Sequence, residues 1–180
     1  TEVTRQVLSD LSLQLLSEFT FTYNTTRDLS TLKNISSTFL QIILSMDDLM
    51  STQPYYLLGT WLSDAETWAT NAEEISFYQS NARKIVTTWG PTGSELHDYA
   101  YKLWGGLLQD FYFERWHLFF DQVLTSVQSN TEFDYQQFLD ACLEFEDGWT
   151  NQVTEYDTEP TGNTIEAVRK IWDSFQGYFL

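Results

Sequence analysis

Positive charge is what this chain has least of. Nine Lys and Arg face 26 Asp and Glu, a formal net charge of −17. That balance would repel a phosphate backbone or an anionic membrane surface, and no Lys/Arg cluster offsets it, so neither nucleic acid nor membrane is an expected partner. Cysteine is scarcer still. Cys142 alone closes no internal disulfide and has no companions for a Cys-type zinc site, so a core thiol is expected. Long apolar runs are missing too: the most apolar, FLQIILSM, stops at Asp47-Asp48, far short of the roughly 20 residues of a spanning helix.

Catalytic patterns are equally thin. There is no GxSxG elbow, no Gly-rich phosphate loop and no HExxH, and the two histidines, His97 and His117, are far apart in the chain. Neither a metal nor a cofactor is expected. Acidic groups abound at Asp47-Asp48, Glu73-Glu74, Glu144-Glu146-Asp147 and Glu155-Asp157-Glu159, and such runs are expected to be solvated faces rather than a hydrolytic dyad.

What the chain does have is rings. Aromatic residues make up 17%, with 7 Trp and 13 Phe, and 180 residues can bury roughly 70% of the surface of the unfolded chain. One folded helical domain over 1–180 is expected. The N-terminal TEVTRQVLSDL already has helical periodicity and no signal peptide, which points to an interior piece of a longer chain.

Apolar residues recurring at three and four predict about eight helices in an irregular all-α bundle. The first runs from Thr4 to Phe21 and the second from Asp28 through Leu49. A third follows Pro54, and a fourth starts at an Asn71 N-cap with Glu74 three residues on, ending at Gly90-Pro91. The fifth is expected from Ser94 through Leu107, with Gly105-Gly106 as a kink or a close contact. Segments from Phe111 to Gln128, Phe138 to Trp149 and Ile165 to Phe179 complete the set, the last opened by an Asn163 or Thr164 N-cap.

The stretch WGPTGSELHDYAYKLWGGLLQDFYFERW crowds Trp89, Tyr99, Tyr101, Trp104, Phe111, Tyr112 and Trp116 into a short span. Most helical aromatics are packing residues, but loop-borne rings can stack on the C–H faces of sugars. Trp89, at the helix stop, and Tyr99 are the candidates for one rim. Arg83 is expected to pin a carboxylate or a helix C-terminus rather than touch a ligand, and Asn81 likewise. Two sequons, Asn24-Thr25-Thr26 and Asn34-Ile35-Ser36, are candidate N-glycosylation sites, Asn24 the better placed between two helices.

The blocks TRQVL, YLLGTWLSDA, FYQSNARKIVTTWGP, DYAYKLWGGLLQDFYFERW and GNTIEAVRKI, spread over nearly the whole chain, resemble the helical C-terminal domain of the α-N-acetylglucosaminidases of glycoside hydrolase family 89. The resemblance implies a retaining exoglycosidase that removes terminal α-linked N-acetylglucosamine from heparan sulfate, lysosomal or secreted. Its two catalytic glutamates belong to an N-terminal barrel domain of the same chain, outside these residues. It also implies that Trp89, Tyr99 and Leu96 line the carbohydrate substrate's pocket, although the chain is one residue longer than the family pattern between Gly93 and Tyr99. An acidic surface suits an acidic compartment, where partial protonation relieves self-repulsion. A stand-alone helical interaction module is the alternative reading, and nothing in the residues chooses between a monomer and a homo-oligomer.

Overall fold

The computed structural model describes residues 1–90 and 93–179. Among them are seven α-helices: α1 (Glu2–Thr25), α2 (Leu29–Ser51), α3 (Leu58–Glu66), α4 (Ala72–Val86), α5 (Phe113–Gln128), α6 (Tyr135–Asn151) and α7 (Thr164–Phe175). A π-helical turn, Leu108–Tyr112, leads into α5, and a 3-10 turn, Gln176–Tyr178, follows α7. No strand forms among the described residues, only two isolated bridges, so the fold is all-α as expected.

Four helices, α2, α4, α6 and α7, start at polar residues that satisfy orphan amides. Asp28 accepts from Thr31 N at 2.8 Å, Asn71 from Glu74 N at 3.0 Å, Asp134 from Gln137 N at 3.0 Å and Asn163 from Ile165 N at 2.9 Å. Glu74 reaches back to Thr70 N at 2.7 Å, closing the box that begins α4. Such caps are worth about 1 kcal/mol each.

The expected fifth helix does not form. Residues 94–104 run irregularly, which lowers the count from eight to seven. Two tertiary ties override the helical spacing of Leu96, Tyr99 and Leu103. Asp98 sits in the left-handed region at φ 59°, and Gly105 is stitched to the strand-like entry of α3, its N–H donating to Tyr56 O at 2.7 Å and its carbonyl accepting from Leu58 N at 3.1 Å. Gly105 is a close contact rather than a kink: a Cβ there would lie 2.8 Å from Ser51 Cα.

Packing divides the interior in two. Leu8, Leu15 and Phe19 of α1 meet Leu32, Phe39 and Ile42 of α2, Phe120 of α5 and Phe175 of α7 in the larger core. The smaller joins Leu58 and Leu62 of α3, Ala82 and Val86 of α4, Phe111 of the π turn and Trp149 of α6. Cys142 is the buried thiol expected.

Asp47 departs from the solvated pair expected of it. It lies on the buried stripe of α2, 6% exposed, and its Oδ1 accepts from Gly106 N at 2.8 Å and Gln109 N at 2.9 Å at the start of the π turn. Burial pushes its carboxyl up to about 6, against the pull of those two amides. Since the folded-state value exceeds the unfolded one, Asp47 favours folding fully below about pH 4, and that contribution is lost as pH rises through about 6. Asp47→Asn keeps an oxygen for both amides. Urea unfolding should find the variant up to about 3 kcal/mol more stable than wild type at pH 7.5, with the gap closing near pH 4. Parallel stability curves across that range would contradict this.

Candidate functional site

The rim begins where α4 stops. Lys84 O accepts from both Thr87 N (3.2 Å) and Trp89 N (2.7 Å), and Trp89 then takes a left-handed φ of 67°. Helix α4 therefore ends at Val86, before Gly90, and Pro91 lies outside the described residues. A left-handed backbone is costly for a bulky side chain, about 1–2 kcal/mol, so surrounding contacts must hold it. They do so from the far side of the loop: Trp89 bridges His97, and Asp98 N donates to Thr88 O at 3.2 Å. Gly90 permits the closure, because a Cβ there would lie 2.7 Å from Leu96 O.

This closed loop carries Trp89 and Tyr99 to one place. Their ring centroids are 5.7 Å apart at 54°, with Trp89 45% and Tyr99 70% exposed. The two rings are neighbours, as the sequence suggested, though Tyr99 sits on irregular chain rather than on a helix. Leu96 is exposed on the same loop, and Tyr101 is exposed just beyond it.

The other rings of the crowded stretch turn inward. Phe111 is fully buried against Trp149 at 4.8 Å, Trp116 packs at a tilt on Phe39 at 4.6 Å, and Trp104 meets Trp61 at 6.0 Å. Geometry thus separates the buried aromatics of the stretch from the exposed ones.

Behind the rim lies a charged network that run-by-run reading of the sequence missed. Arg115 of α5 grips Asp98 with two bonds of 2.7 Å, and its Nε lies 3.0 Å from Oε1 of Glu146 on α6. His97 Nε2 is 2.7 Å from the other Glu146 oxygen. Glu146 is 3% exposed, not the solvated acid expected, and its place on the apolar stripe of Cys142, Phe145 and Trp149 was the available signal. Burial alone would lower the Arg115 pKa, but the Asp98 hydrogen bonds and the Glu146 charge raise it, so the guanidinium stays charged. Ligand atoms of His97, Asp98 and Glu146 lie within 4.8 Å of one another, a spacing that could hold a cation. Arg115 already supplies that positive charge.

Arg83 pins neighbouring groups, but a loop carbonyl and an amide side chain rather than the carboxylate or helix C-terminus expected. Fully buried, it donates to Thr154 O at 2.8 Å and Gln79 Oε1 at 3.2 Å, beneath the Trp149 and Tyr156 rings. Tyr156 donates to Asp110, which also accepts from Trp149 Nε1 at 2.9 Å and Gln152 Nε2 at 3.1 Å. Together these bonds fasten the irregular strap 152–162 to the smaller core. Asn81, by contrast, is exposed. Of the sequons, Asn24 is exposed in the last turn of α1. Asn34 is exposed within α2, where Ser36 is buried and donates to Lys33 O at 3.0 Å.

The architecture is that of an all-α part of larger glycoside hydrolases. It superposes on CpGH89 from Clostridium perfringens, solved with its substrate GlcNAc-alpha-1,4-galactose, with a TM-score of 0.85 at 24% identity over 99% of this chain and 21% of that one. A family 89 glycoside hydrolase from Clostridium perfringens in complex with PUGNAc gives a TM-score of 0.83 at 26% identity over 96% and 20%. The chain belongs to the family described as alpha-N-acetylglucosaminidase (NAGLU) C-terminal domain, which matches residues 1–174. Human alpha-N-acetylglucosaminidase is 29% identical over 171 residues, 95% of this chain and 23% of that protein. The chain thus spans about a fifth to a quarter of the length of these relatives.

Proposed function

We propose that the chain completes one wall of the sugar pocket in an exo-acting α-N-acetylglucosaminidase that releases terminal α-linked N-acetylglucosamine from heparan sulfate-type glycans. The carrying observation is the Trp89–Tyr99 pair, two exposed rings 5.7 Å apart on a loop closed at both ends, in a chain of this family. An indole face offers stacking to the C–H face of a pyranose, the Tyr99 hydroxyl offers a hydrogen bond to a ring hydroxyl, and Leu96 offers an apolar edge. Asp98 and Glu146, the acids behind the rim, are engaged by Arg115 and His97. As the family resemblance implies, the acid and nucleophile of a retaining mechanism are two glutamates of a barrel domain outside these residues. Delivery to the lysosome or to the outside of the cell suits the family and the acidic surface, with Asn24 as the better-placed glycan acceptor.

The parent enzyme tests this reading. Incubated with heparan-derived oligosaccharides ending in α-linked N-acetylglucosamine, it is expected to release the free monosaccharide with retained configuration. No release from α-linked ends, alongside release from another terminal sugar, would overturn the assignment.

A further inference from the structure

We propose that Arg115 and Glu146 are positioning residues for the sugar rim, acting through His97 and Asp98 to hold Trp89 and Tyr99 as one surface. The inference rests on the wall reading above and extends it to four residues that touch no sugar.

Topology supports it first. The loop between Thr88 and Tyr99 departs from α4, yet its returning limb carries His97 and Asp98, and their side chains are held by α5 and α6. Asp98 lies directly before Tyr99 in sequence, and His97 is bridged to Trp89. Each clamped residue is thus one covalent or one backbone link from a rim ring. Both Trp89 and Asp98 sit at positive φ, so the loop relies on outside contacts to keep this shape.

Charge supports it second. Glu146 is 3% exposed, and placing a carboxylate and a guanidinium in an interior is a poor route to stability, since well-packed apolar residues generally serve as well or better. What such an array provides is direction. The planar Arg115 fork fixes the orientation of Asp98 by two parallel bonds, which a lysine cannot reproduce. Glu146 turns Oε1 to the Arg115 guanidinium, 3.0 Å from its Nε, and Oε2 to His97 Nε2 at 2.7 Å, so one side chain ties both clamps together. The guanidinium also lies 5.5 Å from the centroid of the buried Phe111 ring, which anchors it to the smaller core.

The test is a mutant cycle in the full-length parent enzyme with an aryl α-N-acetylglucosaminide. Asp98→Asn tolerates the left-handed backbone while removing the charge, and Arg115→Lys keeps the charge while removing the fork. Each is expected to raise KM by about 3- to 10-fold with kcat nearly unchanged, because a wall that holds the sugar in ground and transition states alike acts on KM. In a Trp89→Ala/Tyr99→Ala background the same substitutions should have little further effect, the non-additivity of residues acting through one another. Arg27→Lys, at the separate Arg27–Glu132 pair, should leave both constants unchanged. If Arg115→Lys fails to fold, Asp98→Asn and His97→Gln carry the cycle.

Unchanged KM in the folded variants, or a loss of equal size with the rings already removed, would overturn the positioning role. A fall in kcat at constant KM would do the same, since it signals fewer folded molecules. An inert Trp89→Ala/Tyr99→Ala double variant would overturn the wall reading itself, and this inference with it.

Discussion

Trp89→Ala in the full-length parent enzyme should lower kcat/KM by about 5- to 150-fold while leaving the melting temperature within a few degrees of the parent's. The size follows from the stacking energy of an indole on a sugar face, about 1–3 kcal/mol when water is excluded between them. The small stability change follows from exposure: Trp89 is 45% exposed, and its ring partner among the described residues is Tyr99, itself 70% exposed. A packing residue would behave in the opposite way. Truncating a buried Trp costs about 3–5 kcal/mol of folding free energy, so a variant that melts far lower yet keeps normal specific activity when folded would return Trp89 to the interior.

Arg83→Ala should do the reverse, destabilising the fold by about 3–5 kcal/mol, or roughly 6–20 °C in melting temperature for a chain of this size. Arg83 is fully buried, and its removal would leave Thr154 O and Gln79 Oε1 without their donor. Asp110, which already accepts from Tyr156, Trp149 and Gln152, would also lose the favourable charge of Arg83. The strap 152–162 would come loose where its Tyr156 and Asp157 carbonyls cover Gly59, the point at which a Cβ would lie 2.3–2.6 Å away. Differential scanning calorimetry decides the matter, and a midpoint within about 2 °C of wild type would show that the guanidinium carries no such role.

The legible parts of the sequence were those that local chemistry governs. Asn71 with Glu74, Asp28 and Asn163 announced helix starts because their side chains satisfy orphan amides a few residues away. The meeting of Trp89 and Tyr99 was anticipated from the Trp-Gly-Pro turn between them, although Tyr99 was expected on a helix and lies on irregular chain. Asp47 and Glu146 were misjudged for a different reason. Each was grouped with its acidic neighbour along the chain, whereas its three-and-four spacing to Ile43 and Met50, or to Cys142 and Trp149, put it on the buried face. Residues 94–104 were read as helix because their apolar spacing fits one. What defeats that spacing is distant in sequence: Arg115 on Asp98 and Tyr56 on Gly105 are contacts that no local window contains.

The central claim is that Trp89 and Tyr99 face a bound sugar. It is tested most directly by a crystal structure of the parent enzyme holding an N-acetylglucosamine-like inhibitor. The Trp89 ring is expected within van der Waals contact of the pyranose, about 4 Å, with the Tyr99 ring beside it and the loop closed on His97 and Asp98 as here. A sugar bound elsewhere, with both rings covered by protein or facing open solvent, would contradict it.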